Sequence, residues 1–187
     1  MNNFKRVTIA LVAVAAFVIT SPAFAWKLGG QDMVLKGKGA RKMAFLTVYY
    51  ASLNVPQDLA ASGAKDIIDS NKPMTIIMTI DSKLVTSEKF VSAVRGGFAN
   101  SASAGYTTPH VNKYLNMFNS ITIVKGDVFF QNYVPGKGLT VVYKSKATGK
   151  QQTLGTVKGL GFKKAFYAMF IGPKPISDGL KSGMLGK

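Results

Sequence analysis

Glycine and proline punctuate the chain after residue 25 so closely that only short strands and helices fit between them. Gly29-Gly30 marks a turn, and Met33 to Lys36 reads as a strand. Gly37-Lys38-Gly39 follows, a pattern that suits a hairpin turn as readily as a binding loop and is too short for a phosphate loop. Phe45 to Leu53 is dense in β-branched and aromatic residues and is stopped by Pro56, so it reads as a strand, as does Met74 to Asp81. Between them Asp58 to Ser70 reads as a short helix.

The strongest helix signal begins at Thr86, whose hydroxyl suits the N-cap, with Glu88 in the first turn where the helix dipole favours negative charge. Val85 and Phe90 have the spacing of a hydrophobic staple, and Phe90, Val94 and Phe98 mark one buried face. Pro109 opens a second helix through Phe118. Strands are expected at Ser120 to Val124, Val128 to Val134, Leu139 to Tyr143 and Gln152 to Val157. Helices at Phe162 to Ile171 and Ser177 to Met184 end the chain. Strands gathered into meanders, with helices bunched apart from them, predict an α+β fold: a mostly antiparallel sheet with helices packed on one face.

Residues 1–25 carry a different signal. Lys5 and Arg6 precede an apolar run from Val7 to Thr20, and Ala23 and Ala25 occupy the −3 and −1 positions of a cleavage site after Ala25. That order is a secretory signal peptide. The alternative is an uncleaved anchor, but 14 residues fall short of the roughly 20 that span a bilayer. No cysteine adjoins Ala25, so no lipoprotein anchor is available. The expectation is a periplasmic or secreted protein with one domain at 26–187.

With no cysteine, the core alone must hold that domain, and thiol chemistry is excluded. All eight acids lie beyond residue 25, whereas two of the 24 Lys and Arg leave with the leader; 22 against 8 gives the mature chain +14. Such a surface attracts polyanions, an anionic membrane surface among them. Nucleic acid is not expected, because export removes the chain from it and the basic residues form no run of five.

The ordered pieces Gly37-Lys38-Gly39-Ala40-Arg41, Val48-Tyr49-Tyr50-Ala51-Ser52-Leu53, Lys125-Gly126-Asp127, Tyr133-Val134-Pro135-Gly136-Lys137-Gly138, Leu154-Gly155, Phe162-Lys163-Lys164-Ala165-Phe166 and Phe170-Ile171-Gly172-Pro173-Lys174-Pro175 resemble the chalcone isomerase-like family, in its exported bacterial branch. The resemblance covers nearly all of the chain after residue 25. It implies an open-faced β-sandwich with helices on one side and a ligand cleft between the layers. The family's plant enzymes cyclise chalcones to flavanones, and related members bind fatty acids without catalysis. The family arginine falls on Arg41. The threonine position falls near Ala44, with Thr47 and Thr79 nearby; the tyrosine position falls on Thr86; the asparagine position falls near Ala93. The enzymes' polar helix pair is therefore absent, which implies binding without the full catalytic set.

On the residues themselves, Arg41 offers planar donors that match a carboxylate or enolate. The alternative role is structural, a pairing with backbone carbonyls or with Asp127. Tyr49 and Tyr50 point to opposite faces of their strand, so one lines the cleft or the two are simply a core and a surface aromatic. Met43, Met74, Met78, Phe90, Phe98, Phe166, Met169 and Phe170 supply an adaptable apolar interior, most of it core packing. The lone His110 lacks metal-ligating neighbours, no Gly-x-Ser-x-Gly surrounds any serine, and the acids are scattered. No metal or cofactor is expected.

Three readings follow. The first is a non-catalytic binder of a small amphipathic carboxylate or fatty acid, with Arg41, Tyr49, Tyr50, Thr47 and Thr86 as candidate ligand-binding residues. The second is an intramolecular lyase or isomerase acting on an enone-like substrate, with Arg41 as the candidate catalytic group. The third is a basic envelope-associated interaction protein.

Overall fold

A computed structural model describes residues 26–187; the expected leader lies outside the described residues. Seven strands form one antiparallel meander in sequence order: β1 (Trp26–Leu28), β2 (Gln31–Met43), β3 (Leu46–Pro56), β4 (Met74–Ile80), β5 (Val128–Val134), β6 (Gly138–Lys144) and β7 (Gln151–Val157). The sheet curls into a half-barrel. Five helices accompany it: α1 (Ala64–Asp69), α2 (Ser87–Ser103), α3 (Val111–Leu115), α4 (Leu160–Ile171) and α5 (Asp178–Met184). The α+β expectation holds. Among the described residues no helix is long and apolar enough to cross a membrane.

Strand alternation builds the core. Leu53 and Val55, Ile76 and Met78, Phe129, and Leu139 and Val141 are buried on the sheet's concave face, where a period of two places every second side chain. α4 lies among them almost wholly buried. It packs on α2, where the Ser101 hydroxyl donates to the Ala165 carbonyl at 2.9 Å and Gly97 leaves room for Met169. Phe90, Phe118 and Phe129 cluster between α2 and the sheet, with centroids 4.9 to 5.6 Å apart.

The buried Lys163 on α4 is an exception to the apolar rule. Its ammonium donates to the carbonyls of Ile67, Ile68 and Ser70 at 2.7, 2.9 and 2.8 Å. Those are the carbonyls left without intrahelical partners at the end of α1. The ammonium also faces the Tyr133 and Tyr167 rings. Burial pushes its pKa down to about 7, the neighbouring Lys164 charge adding to the shift and Asp69 opposing it.

Three sequence expectations are corrected. Gly37-Lys38-Gly39 is not a turn but the middle of β2, with a bulge between Leu35 and Gly37. Both glycines are needed for packing: a Cβ on Gly39 would lie 2.5 Å from the Leu180 carbonyl oxygen of α5, and one on Gly37 would strike Gly183. Ser120 to Val124 forms no strand. The Ser87 hydroxyl donates to the Ile121 carbonyl and accepts from the Ile123 amide, and the Asp127 carboxylate accepts from the Val124 amide, so side chains satisfy groups that a ladder would otherwise use. The helix expected over Asp58 to Ser70 is split into a 3-10 turn at Gln57–Leu59 and α1. The cap at Thr86 is observed, its hydroxyl accepting from the Lys89 amide at 3.2 Å.

Candidate functional site

A hollow of about 330 Å³ opens where the β2–β3 hairpin, the loop after β4 and the first turns of α2 meet. The hairpin contributes Arg41 and Met43 from β2 and Leu46, Val48 and Tyr49 from β3. Arg41 and Tyr49 are direct cross-strand partners, which places both side chains on one face. The guanidinium carbon lies 5.9 Å from the centre of the Tyr49 ring, within reach of a cation–π contact.

The loop after β4 is fixed by its backbone. The amides of Asp81 and Ser82 both donate to the Val48 carbonyl, at 2.9 and 3.2 Å, and the Ser82 hydroxyl accepts from the Leu84 amide at 3.1 Å. This turn carries Ser82, Leu84 and Val85 onto the hollow. Lys89, Phe90 and Ala93 of α2 close the opposite side. Phe90 also stacks on Phe129 at 5.4 Å, so the floor of the hollow is the edge of the aromatic core. Between the sheet and α4 the two layers are filled by side chains; the hollow sits at one end of them.

Its chemistry is simple. The wall is mostly apolar, two cations reach it (Arg41 and Lys89), and no carboxylate lines it. Burial pushes the Tyr49 phenol up to about 12, with the nearby Arg41 charge opposing the shift. At neutral pH Tyr49 is therefore a neutral phenol whose O–H can donate a hydrogen bond. A part-buried cationic group beside a hydroxyl donor in an apolar cup matches an anionic head on an apolar body.

Of the candidate residues, the structure brings together Arg41 and Tyr49. Tyr50 lies on the other face, partly exposed under Lys38, whose ammonium is 5.2 Å from its ring centre. Thr47 and Thr86 do not line the hollow; Thr86 is occupied as the α2 cap. Arg41 does not pair with Asp127, whose buried carboxylate instead accepts from the Val124 and Lys146 amides and the Tyr143 hydroxyl. Of the methionines and phenylalanines, Met43 and Phe90 reach the hollow, and the other six are core. Lys89 was not anticipated. It shares a face of α2 with Ala93, four residues on, but nothing local in the sequence sets it apart from the other lysines.

No curated protein matches this chain. Among solved structures, a fatty-acid binding protein from Arabidopsis thaliana is similar, with a TM-score of 0.65 at 16% identity, over 84% of this chain and 92% of that one. That likeness establishes the shared fold. A family model described as chalcone isomerase-like matches residues 19–186. The chain belongs to the chalcone isomerase-like family.

Proposed function

We propose that this protein binds a small amphipathic carboxylate of the fatty-acid type in the hollow, without catalysis. The observation that carries the reading is the Arg41–Tyr49 pair, a cation and a protonated phenol side by side in an apolar cup that contains no acid. Arg41 grips the carboxylate, Tyr49 donates to it, and Leu46, Val48, Val85 and Phe90 receive the tail. The volume of about 330 Å³ lies at the small end of the range for ligand sites, roughly 300–1,000 Å³, and favours short and medium chains. The similar Arabidopsis structure, a fatty-acid binding protein by its description, supports the same ligand class. Titration with a chain-length series of fatty acids tests this: saturable uptake is expected, weakened by Arg41→Ala, and equal uptake by wild type and Arg41→Ala rejects it.

An isomerase acting on an enone-like substrate is the second reading, favoured by the Tyr49 phenol beside Arg41, which suits stabilisation of a developing oxyanion. Chalcone turnover no faster than the uncatalysed reaction excludes that activity on chalcones. The leader supports export and cleavage after Ala25, so N-terminal sequencing of the protein recovered from outside the cytoplasm is expected to begin at Trp26. The +14 charge that remains supports work beside an anionic membrane surface.

A further inference from the structure

The mouth of the hollow carries the three most exposed large apolar side chains of the described residues, with a fourth beside them. Phe45 is 92% exposed, Met43 and Leu84 62% each, and Leu46 46%. Three of these four also line the hollow, and Phe45 stands at the tip of the hairpin between them. Ala44, beside it, has φ of 51°, the one positive value at a non-glycine residue among those described. The backbone is thus held in a disfavoured turn that leaves Phe45 with no packing partner.

The same rim is basic. Arg41, Lys42, Lys83 and Lys89 come from the hairpin, the loop after β4 and the first turn of α2. None of them is in an ion pair among the described residues. Asp81, the acid nearest along the loop, is engaged by Lys125 at 3.1 Å. Glu88 lies instead along a separate groove of α2 with Arg95. Apolar side chains ringed by unpaired cations are the pattern of a surface that inserts between headgroups and holds their phosphates. A second copy of this chain fits poorly, because two such rims would set cation against cation.

We propose that this rim is a membrane-docking lip: Phe45, Met43, Leu46 and Leu84 enter the interfacial layer of an anionic bilayer while Lys42, Lys83 and Lys89 meet its headgroups, so that the hollow opens onto the lipid. Resting on the carboxylate-binding reading, the lip lets an acyl chain pass between bilayer and hollow without crossing bulk water. Docking itself requires no ligand.

The test is co-sedimentation of the purified protein, processed as the cell processes it, with neutral phosphatidylcholine vesicles and with vesicles containing phosphatidylglycerol. Binding to the anionic vesicles is expected, and it should fall as salt rises. Phe45→Asp, and separately Lys42→Glu with Lys83→Glu, should lower it at least about tenfold. None of these three residues lines the hollow, so uptake of a soluble short-chain fatty acid should persist and report an intact fold. Ala93→Phe fills the hollow from α2 and should abolish fatty-acid uptake while leaving vesicle binding in place. Vesicle binding unchanged in both rim variants overturns the proposal, as does a wild-type dimer that Phe45→Asp dissociates. If the wild-type protein takes up no fatty acid yet docks through the rim, the carboxylate reading fails and the docking proposal stands.

Discussion

Arg41 faces Tyr49 directly across the β2–β3 ladder, its guanidinium over the phenol ring. The ladder positions the two groups, so neither depends on a loop for its placement. Replacing Arg41 with Ala removes the charge and leaves the ladder intact. The expected loss in fatty-acid affinity is about 1.5–3 kcal/mol, the range for a hydrogen bond to a charged group. Isothermal titration measures it, and the melting temperature should change little because Arg41 is only part-buried.

Tyr49 gives a second expectation with a defined pH dependence. Its pKa is raised to about 12 in the folded protein by burial, against about 10 when unfolded. The contribution to stability is present in full below pH 10 and is lost as pH rises from 10 through 12, because the unfolded chain ionises first. Fatty-acid affinity of the wild type should accordingly show no Tyr49 titration between pH 7 and 10, and Tyr49→Phe should weaken binding by about 0.5–1.5 kcal/mol. An ionisation step in the affinity below pH 10 that disappears in Tyr49→Phe would contradict this.

Lys163 predicts the opposite trend. Its folded pKa of about 7 lies below the value near 10.4 expected when unfolded. Between these values the unfolded chain binds more protons, so this residue raises stability with pH, by at most about 1.4 kcal/mol per pH unit. Below pH 7 both states are protonated and the contribution is flat. Denaturation of wild type and Lys163→Met at pH 6, 7, 8 and 9 isolates the term: the difference between them should stay constant from 6 to 7 and shift in favour of the wild type above 7. A constant difference throughout would mean that the three carbonyls keep the proton.

Thr86 separates a structural role from a ligand role. Its hydroxyl accepts from the Lys89 amide and is absent from the wall of the hollow. Thr86→Ala should cost about 1 kcal/mol of stability, as cap removals do, with fatty-acid affinity unchanged. A fall in affinity with no loss of stability would reverse that assignment.

Much of this architecture was legible in the chain because local and tertiary preferences agree. Met74 to Ile80 alternates as a strand and is one; Thr86, Glu88 and Phe90 start a helix where they should. Legibility failed where a distant element decides. Gly37-Lys38-Gly39 reads as a turn, and the reason for its glycines, the backbone of α5 lying against them, is supplied by residues far along the chain. The short apolar stretch Ile121-Thr122-Ile123-Val124 reads as a strand, yet Ser87 and Asp127 satisfy part of its backbone. At the site, Arg41 was found through the family resemblance, whereas strand alternation offered Tyr49 or Tyr50 without saying which faces the cleft. Lys89 was not, because one lysine among many carries no local mark until α2 is set against the hairpin.

The contact between Gly39 and Gly183 gives a mutational expectation. A Cβ on Gly183 would meet the Gly39 backbone, and one on Gly39 would meet the Leu180 backbone of the same helix α5; neither segment can yield easily. Gly39→Ala should destabilise the fold by about 1–3 kcal/mol, the usual cost of overpacking, and urea denaturation measures it. Fatty-acid affinity should fall as well, since Arg41 lies two residues along the same strand.

That contact also sets an order of events. The strand bearing Arg41 is synthesised early, while the helix that clamps it arrives some 140 residues later. Closure over so long a separation is slow compared with local structure formation. The strand is therefore locked in its final place only when the last helix has been made and folding is complete, wherever in the cell that happens.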